Sequence, residues 1–246
     1  MFNFFAKEEQ IIKNGYVISG NDYNHIVNVL RMKTGDSFLV SISGKSDLCV
    51  ISEITDCDVI CQIEEENYND TSLPVEIYLF QGLPKAEKME LIIQKCVELG
   101  VEGIYPTVME HCVVKLDDKK KASKTERWQK IAESAAKQCK RSIIPKIYEP
   151  VSFKNAVDLL SEMDLFLVPY ENEFGMEATK NALSEIKKGS KIGMLIGPEG
   201  GFSQKEIDFC TQNGGEIISL GKRILRTETA AITAVGMCML YAEMNI

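Results

Sequence analysis

The stretch Ile192-Gly193-Met194-Leu195-Ile196-Gly197-Pro198-Glu199-Gly200-Gly201-Phe202-Ser203 decides how this chain is read. Residues 192–196 form a short apolar run suited to a buried strand, and the run stops at a proline set among three glycines. Such a turn lets the backbone approach a ligand closely, and Ser203 with Glu206 makes a capping box that opens the next helix. Strand, glycine turn and helix in that order belong to an open, mainly parallel sheet, where ligands sit beyond the carboxyl ends of the strands. Neither Gly-x-x-x-x-Gly-Lys-Ser/Thr nor Gly-x-Gly-x-x-Gly is present, which excludes the usual phosphate-loop and dinucleotide readings. A purely structural strand-to-helix turn stands as the alternative.

Outward from this turn the same alternation continues. Strand-like runs occur at residues 75–80, 101–108, 165–168 and 216–220, with helical segments between them, so the chain from Leu73 reads as an α/β domain with a mainly parallel sheet. The clearest helix starts at Pro84, places Met89, Ile92, Ile93, Cys96 and Val97 on one face and stops at Gly100. A second loop follows the last strand: Leu220-Gly221-Lys222-Arg223-Ile224-Leu225-Arg226-Thr227-Glu228-Thr229-Ala230. Thr227 is placed to cap the final helix, whose positive end then points to the same sheet edge as the first loop. Two glycine turns with Arg223, Arg226, Glu228 and Thr229 therefore predict a site there, the competing view being a structural Arg226–Glu228 ion pair.

Residues 1–72 have a different texture, with strands expected at 37–42, 48–54 and 59–63, a short helix capped by Asn21 through His25, Ile26, Val29 and Leu30, and a polar linker at 64–72. The division is thus 1–72 and 73–246. Cys57 and Cys61 fall in step with Val59 and Ile63 at period two, on the expected buried face of a strand. The eight cysteines contain no Cys-x-x-Cys pair and there are only two histidines, so they read as reduced core thiols and no metal site is expected. No targeting segment is recognised, and the longest apolar stretch, 230–242, contains Thr233 and Gly236 and falls short of the roughly 20 residues that cross a bilayer. A cytoplasmic location without membrane contact is the expectation.

The net charge of −8 argues against a nucleic-acid partner when taken as one number. By region it does not. Lys7, Lys13, Arg31, Lys33 and Lys45 face twelve carboxylates in residues 1–72, whereas residues 115–146 hold eleven basic side chains against Asp117, Asp118, Glu126 and Glu133. On the helix expected after Thr125, Arg127, Lys130, Ser134, Lys137 and Arg141 share an arc of roughly 80° beside the apolar Trp128, Ile131, Ala132, Ala135 and Cys139. That ridge reads either as a solvated face or as a contact for a polyanion such as RNA.

Three blocks together carry a resemblance: Gln81-Gly82-Leu83-Pro84-Lys85 with Lys88-Met89-Glu90-Leu91-Ile92-Ile93-Gln94-Lys95 and Glu98-Leu99-Gly100-Val101, then residues 196–202, then 220–230. They resemble the signature of the RsmE family, bacterial 16S rRNA (uracil-N3)-methyltransferases of the knotted SPOUT class. His25-Ile26-Val27-Asn28-Val29-Leu30-Arg31 with Gly35-Asp36 is similar to the family's N-terminal PUA-like β-barrel, an RNA-binding domain. The resemblance implies a trefoil knot in the C-terminal domain, S-adenosylmethionine as cofactor, a homodimer, and N3 of a uridine in the decoding region of 16S rRNA within the 30S subunit as methyl acceptor. It implies cofactor contacts from Gly197, Glu199, Gly201, Leu220, Gly221, Ile224, Leu225 and Thr229. Catalysis is expected from Arg226, stabilising the anionic base, with Glu228, Glu199 or a water assisting deprotonation, and RNA contacts from Arg31, Arg127, Lys130, Lys137 and Arg141. The family has an arginine where this chain has Asn3 and Glu-Arg-Ser where it has Glu110-His111-Cys112, which alters individual RNA contacts. A knotted tRNA methyltransferase, a non-catalytic RNA-binding ribosome factor and a small-molecule α/β enzyme are the other readings.

Overall fold

The computed structural model describes every residue except Asn69, Lys115 and Phe174, and describes only the backbone of Ala86 and Asp118. Lys115, at the head of the basic run, and Asn69, in the expected linker, therefore lie outside the described residues. The chain divides into two compact units, Met1–Ser72 with Ala136–Ile144, and Leu73–Ala135 with Pro145–Ile246.

The first unit is a six-stranded sheet of β1 (Asn3–Phe5), β2 (Ile11–Ile12), β3 (Gly15–Ser19), β4 (Ser37–Ile42), β5 (Lys45–Ile54) and β6 (Asp58–Glu65), in the order β1-β4-β5-β6-β3-β2. Only the β1–β4 pairing is parallel. Alternate residues such as Phe38 and Val40, Cys49 and Ile51, and Val59 and Cys61 meet in one core with Phe4, Tyr16, Ile18 and Ile26. Several expectations change here. The first short helix, α1 (Gly20–Asn24), has Ser19 rather than Asn21 at its N-cap, and a π-turn over His25–Val29 follows it, with Leu30 as its C-cap and Arg31 beyond it at φ 56°. The π-turn carries Val29 out to solvent, 68% exposed, away from the face expected for it. Cys57 is exposed because it sits in the turn before β6, where Thr55 Oγ1 accepts from the Asp58 amide at 3.0 Å. The strand itself continues to Glu65, into the expected linker.

The second unit contains a parallel sheet built from β7 (Glu76–Gly82), β8 (Gly103–Val108), β9 (Lys146–Ile147), β10 (Val151–Ser152), β11 (Leu165–Pro169), β12 (Lys191–Ile196) and β13 (Glu216–Ile218). Its order is β10-β8-β7-β12-β11-β13, with β9 also on β8, and every pairing is parallel. α2 (Ala86–Glu98) and α7 (Thr227–Asn245) pack on each other, and α7 lies against β7 and β12. The apolar cluster of Phe80, Phe166, Val168 and Leu195 is closed by Ala156, Val157 and Leu160 of α4 (Phe153–Leu160) and Ile207 and Cys210 of α6 (Gln204–Gln212). α2 buries Met89, Ile92, Ile93, Cys96 and Val97 completely, but starts at Ala86, two residues after Pro84. The expected Thr125 helix starts earlier, as α3 (Asp118–Cys139), so Thr125 lies inside it and donates to the Lys121 carbonyl at 2.9 Å. α5 (Glu177–Ser184) covers β13. Because all strands run the same way, the segments after β7, β8, β11, β12 and β13 emerge at one edge, and the direction of strand addition reverses between β7 and β12.

Candidate active site

The glycine loop after β12 rests on the end of β7. A Cβ added to Gly82 would lie 2.6 Å from the Pro198 nitrogen and 2.8 Å from Met109 Sδ, so the approach requires a glycine. The segment after β8 supports the loop from the other side. The His111 ring Nδ1 lies 3.0 Å from the Gly200 carbonyl, and since a carbonyl only accepts, the ring proton resides on Nδ1. Glu206, 5% exposed, accepts from the Ser203 amide at 2.9 Å and the Glu110 amide at 2.9 Å, so the capping box of α6 also fastens that segment. His111 and Glu110 therefore shape the loop. Asn3 is likewise structural: buried in the first unit, it donates to the Arg141 carbonyl at 2.9 Å and accepts from Ser41 at 2.8 Å.

Thr227 corrects the reading of α7. The N-cap position belongs to Arg226, which makes no side-chain cap bond, and Thr227 is the first helical residue. Its buried hydroxyl donates to the Gly197 carbonyl at 2.6 Å and accepts from Gln81 Nε2 at 2.9 Å. One side chain thus ties β7, the loop after β12 and the start of α7 together.

Between these loops lies a cavity of about 360 Å³, lined among others by Gly197, Glu199, Gly201, Leu220, Gly221, Ile224, Leu225 and Arg226. Seven of the eight residues expected to hold a cofactor are in its wall. Thr229 is exposed and absent from the lining, where Ala230 of α7 takes the place. Arg226 is exposed on the rim and makes no described ion pair with Glu228. The cation beside Glu228 is Lys88 of α2, whose Nζ lies 3.3 Å from Glu228 Oε2 and 3.4 Å from Glu199 Oε1. Glu228 Oε2 is buried and, apart from this ion pair, has no hydrogen bond. Burial pushes the Glu199 carboxyl up, but the Lys85 amide at 3.1 Å and the Lys88 ammonium outweigh it and hold the group below its ordinary range.

Lys88, Tyr170 and Glu171 are cavity residues that sequence reasoning missed. Tyr170 and Glu171 follow β11, and applying the strand-end rule to that strand as well as to its neighbours would have found them. Lys88 lies inside a quoted signature block but falls off the apolar face of its helix, so periodicity assigns it no role.

The expected RNA residues are not brought together in one unit. Arg127 and Lys130 belong to the second unit and Lys137 and Arg141 to the first. Arg127 is ion-paired to Glu90 at 2.8 Å, Lys130 to Glu126 at 2.8 Å and Lys137 to Asp22 at 2.9 Å. Arg141 leaves the helical arc, because α3 ends at Cys139 and Lys140 adopts φ 61°, and it is 8% exposed. Arg31 is exposed. Among the described residues no cluster of three His, Cys, Asp or Glu is arranged to hold a metal ion.

Comparison with known proteins places this architecture. Residues 71–239 match the model of an RNA methyltransferase domain and residues 18–64 that of an RNA methyltransferase PUA domain. The chain is 36% identical over 233 residues to ribosomal RNA small subunit methyltransferase E of Bacillus subtilis, spanning 93% of this chain and 91% of that one. The crystal structure of the Neisseria gonorrhoeae ribosomal RNA small subunit methyltransferase E bound to S-adenosyl methionine superposes with TM-score 0.83 at 27% identity, covering 98% and 97% of the two chains. A Legionella pneumophila methyltransferase in complex with the same cofactor gives 0.82 at 30% identity, covering 97% and 96%. The fold is that of an RNA methyltransferase carrying a PUA domain. Within that class, the chain belongs to the ribosomal RNA small subunit methyltransferase E family.

Proposed function

We propose that this protein transfers the methyl group of S-adenosylmethionine to N3 of a uridine in 16S rRNA of the small ribosomal subunit. The observation that carries the reading is the cavity at the carboxyl ends of β11, β12 and β13, walled by the two glycine loops. Its size suits a nucleoside of this class, and its carboxylates, Glu171 and Glu199, suit a ligand bearing a sulfonium and an ammonium. When bound, the cofactor supplies a methyl group already activated for transfer.

This chain's own residues have three tasks. Gly197, Gly201, Leu220, Gly221 and Leu225 position the donor. Uracil N3 carries a proton at neutral pH, so a base has to remove it, and this falls to Glu228, ion-paired to Lys88, to Glu199 in the cavity wall, or to a water. Arg226 on the rim stabilises the negative charge that develops on the base. Arg31 of the N-terminal unit adds a phosphate contact.

The return of the chain from edge strand β13 to the centre of the sheet supports a knotted crossing, since Thr227 bonds to Gly197 and Gln81 of the central segments. Exposed Leu240 and Met244 of α7 with exposed Leu91 of α2 support a homodimer. A cytoplasmic location with the 30S subunit as substrate agrees with the family.

Arg226→Ala should abolish methylation of 30S subunits taken from cells lacking the gene, while calorimetric affinity for S-adenosylmethionine stays within about threefold. Turnover close to wild type would remove Arg226 from the mechanism.

A further inference from the structure

The described cations divide by what they already touch. Arg127, Lys130 and Lys137 are each held to a carboxylate at 2.8 to 2.9 Å. A phosphate recruiting any of them would first break an ion pair, which reduces the gain from counterion release. Lys222, Arg223 and Arg226, in contrast, lie in one short segment after β13, are exposed, and make no side-chain hydrogen bond or ion pair with another described residue. Between them stands Ile224, 82% exposed, the most exposed large apolar side chain of the described residues. Arg223, Ile224 and Arg226 also line the cavity. An apolar tip flanked by free cations at the mouth of a site is a specific combination, whereas each feature alone would be ordinary.

The chemistry asks for such an element. N3 lies on the Watson–Crick edge of uracil, so the base has to leave its stack to reach an enclosed donor, and proteins that unstack bases do so with apolar wedges and phosphate-holding cations. We propose that residues 221–226 are the RNA-engaging element of the catalytic unit: Lys222 and Arg223 bind the phosphates flanking the target uridine, and Ile224 takes the place of the extruded base against its neighbours. This inference rests on the reading of the chain as an rRNA methyltransferase. It shifts RNA contact within this unit from the α3 ridge to the mouth of the cavity.

The test is equilibrium binding of purified protein to 30S subunits from cells lacking the gene, across a potassium chloride series, with affinity for S-adenosylmethionine measured in parallel by calorimetry. Lys222→Ala, outside the cavity lining, should weaken 30S binding and lower the slope of log affinity against log salt by about 0.7 to 0.9, with cofactor affinity unchanged. The double variant Lys222→Ala, Arg223→Ala should lower the slope by about twice that amount. Arg127→Ala with Lys130→Ala should keep the wild-type slope. Ile224→Ala should bind 30S nearly as well as wild type but methylate it about tenfold more slowly. A slope lost in the α3 variant and kept in the loop variants overturns the inference and leaves the function intact. A wild-type protein that binds cofactor but shows no salt-dependent 30S binding overturns the function itself.

Discussion

Thr227 shows how one hydroxyl joins segments far apart in sequence, since it bonds to the Gly197 carbonyl at 2.6 Å and Gln81 at 2.9 Å. Thr227→Val keeps the shape and removes both bonds, so the buried Gly197 carbonyl loses its donor while Gln81 Nε2 keeps only its bond to the Gly82 carbonyl at 2.9 Å. It should cost about 1 to 3 kcal/mol in urea denaturation and weaken cofactor binding, with Thr227→Ser retaining most of both. Lys88 is the second pivotal residue, because its ammonium is the cation described beside both Glu199 and Glu228. Lys88→Met removes an ammonium that helps hold the Glu199 carboxyl below its ordinary range, so Glu199 should hold its proton to higher pH and the acid limb of the kcat/KM profile should move up, whereas Lys88→Arg should restore it. An unmoved acid limb would reduce Lys88 to a packing role. Residue roles of this kind were only half legible in the sequence. Arg226, Glu228 and Glu199 announce themselves as charges beside glycine turns, but the sequence does not say that Glu228 pairs with a lysine on another helix, because that contact depends on α2 packing on α7.

At the scale of elements, the loop after β12 is held as a unit by Gly82 beneath it, His111 beside it and Thr227 behind it. A Cβ on Gly200 would come within 2.7 Å of His111 Cβ, so Gly200→Ala should push the two segments apart and reduce cofactor affinity by about tenfold in calorimetry with little loss of the α/β fold. The carboxyl of Glu199 predicts a pH effect. Its folded value lies below the ordinary 4.5, so its contribution to stability is present above that pH and is lost as the pH falls through the folded value. The melting-temperature difference between wild type and Glu199→Gln should accordingly be largest above pH 4.5 and shrink in more acid buffer. The long apolar strands and the buried face of α2 were legible because their periodicity is strong. The two-residue β9 and β10 were not, since tertiary pairing to β8 rather than local pattern makes them strands. The cap of α1 was misplaced because Ser19 and Asn21 are both suitable caps and a π-turn follows, which no apolar spacing signals.

For the whole molecule, the acidic total conceals where free positive charge lies. Residues 115–146 carry the largest regional excess of positive charge, yet pairing neutralises Arg127, Lys130 and Lys137 there, and the exposed cations at the cavity mouth stand in a short segment that a count over longer regions averages away. Pairing is invisible in a charge count because the partners Glu90 and Asp22 are distant in sequence. Assembly can be tested at the same scale. Leu240→Glu places a charge on the exposed apolar face of α7 and should convert a dimer into a monomer in sedimentation velocity, with loss of turnover if the partner completes the site. The central claim, methyl transfer to uridine N3 of 16S rRNA, is tested most directly by mass mapping of 16S rRNA from cells with the gene, without it, and complemented with wild type or Arg226→Ala. The account predicts one N3-methyluridine that disappears on deletion, returns with the wild-type gene and stays absent with the variant. An unchanged 16S modification map on deletion would contradict it.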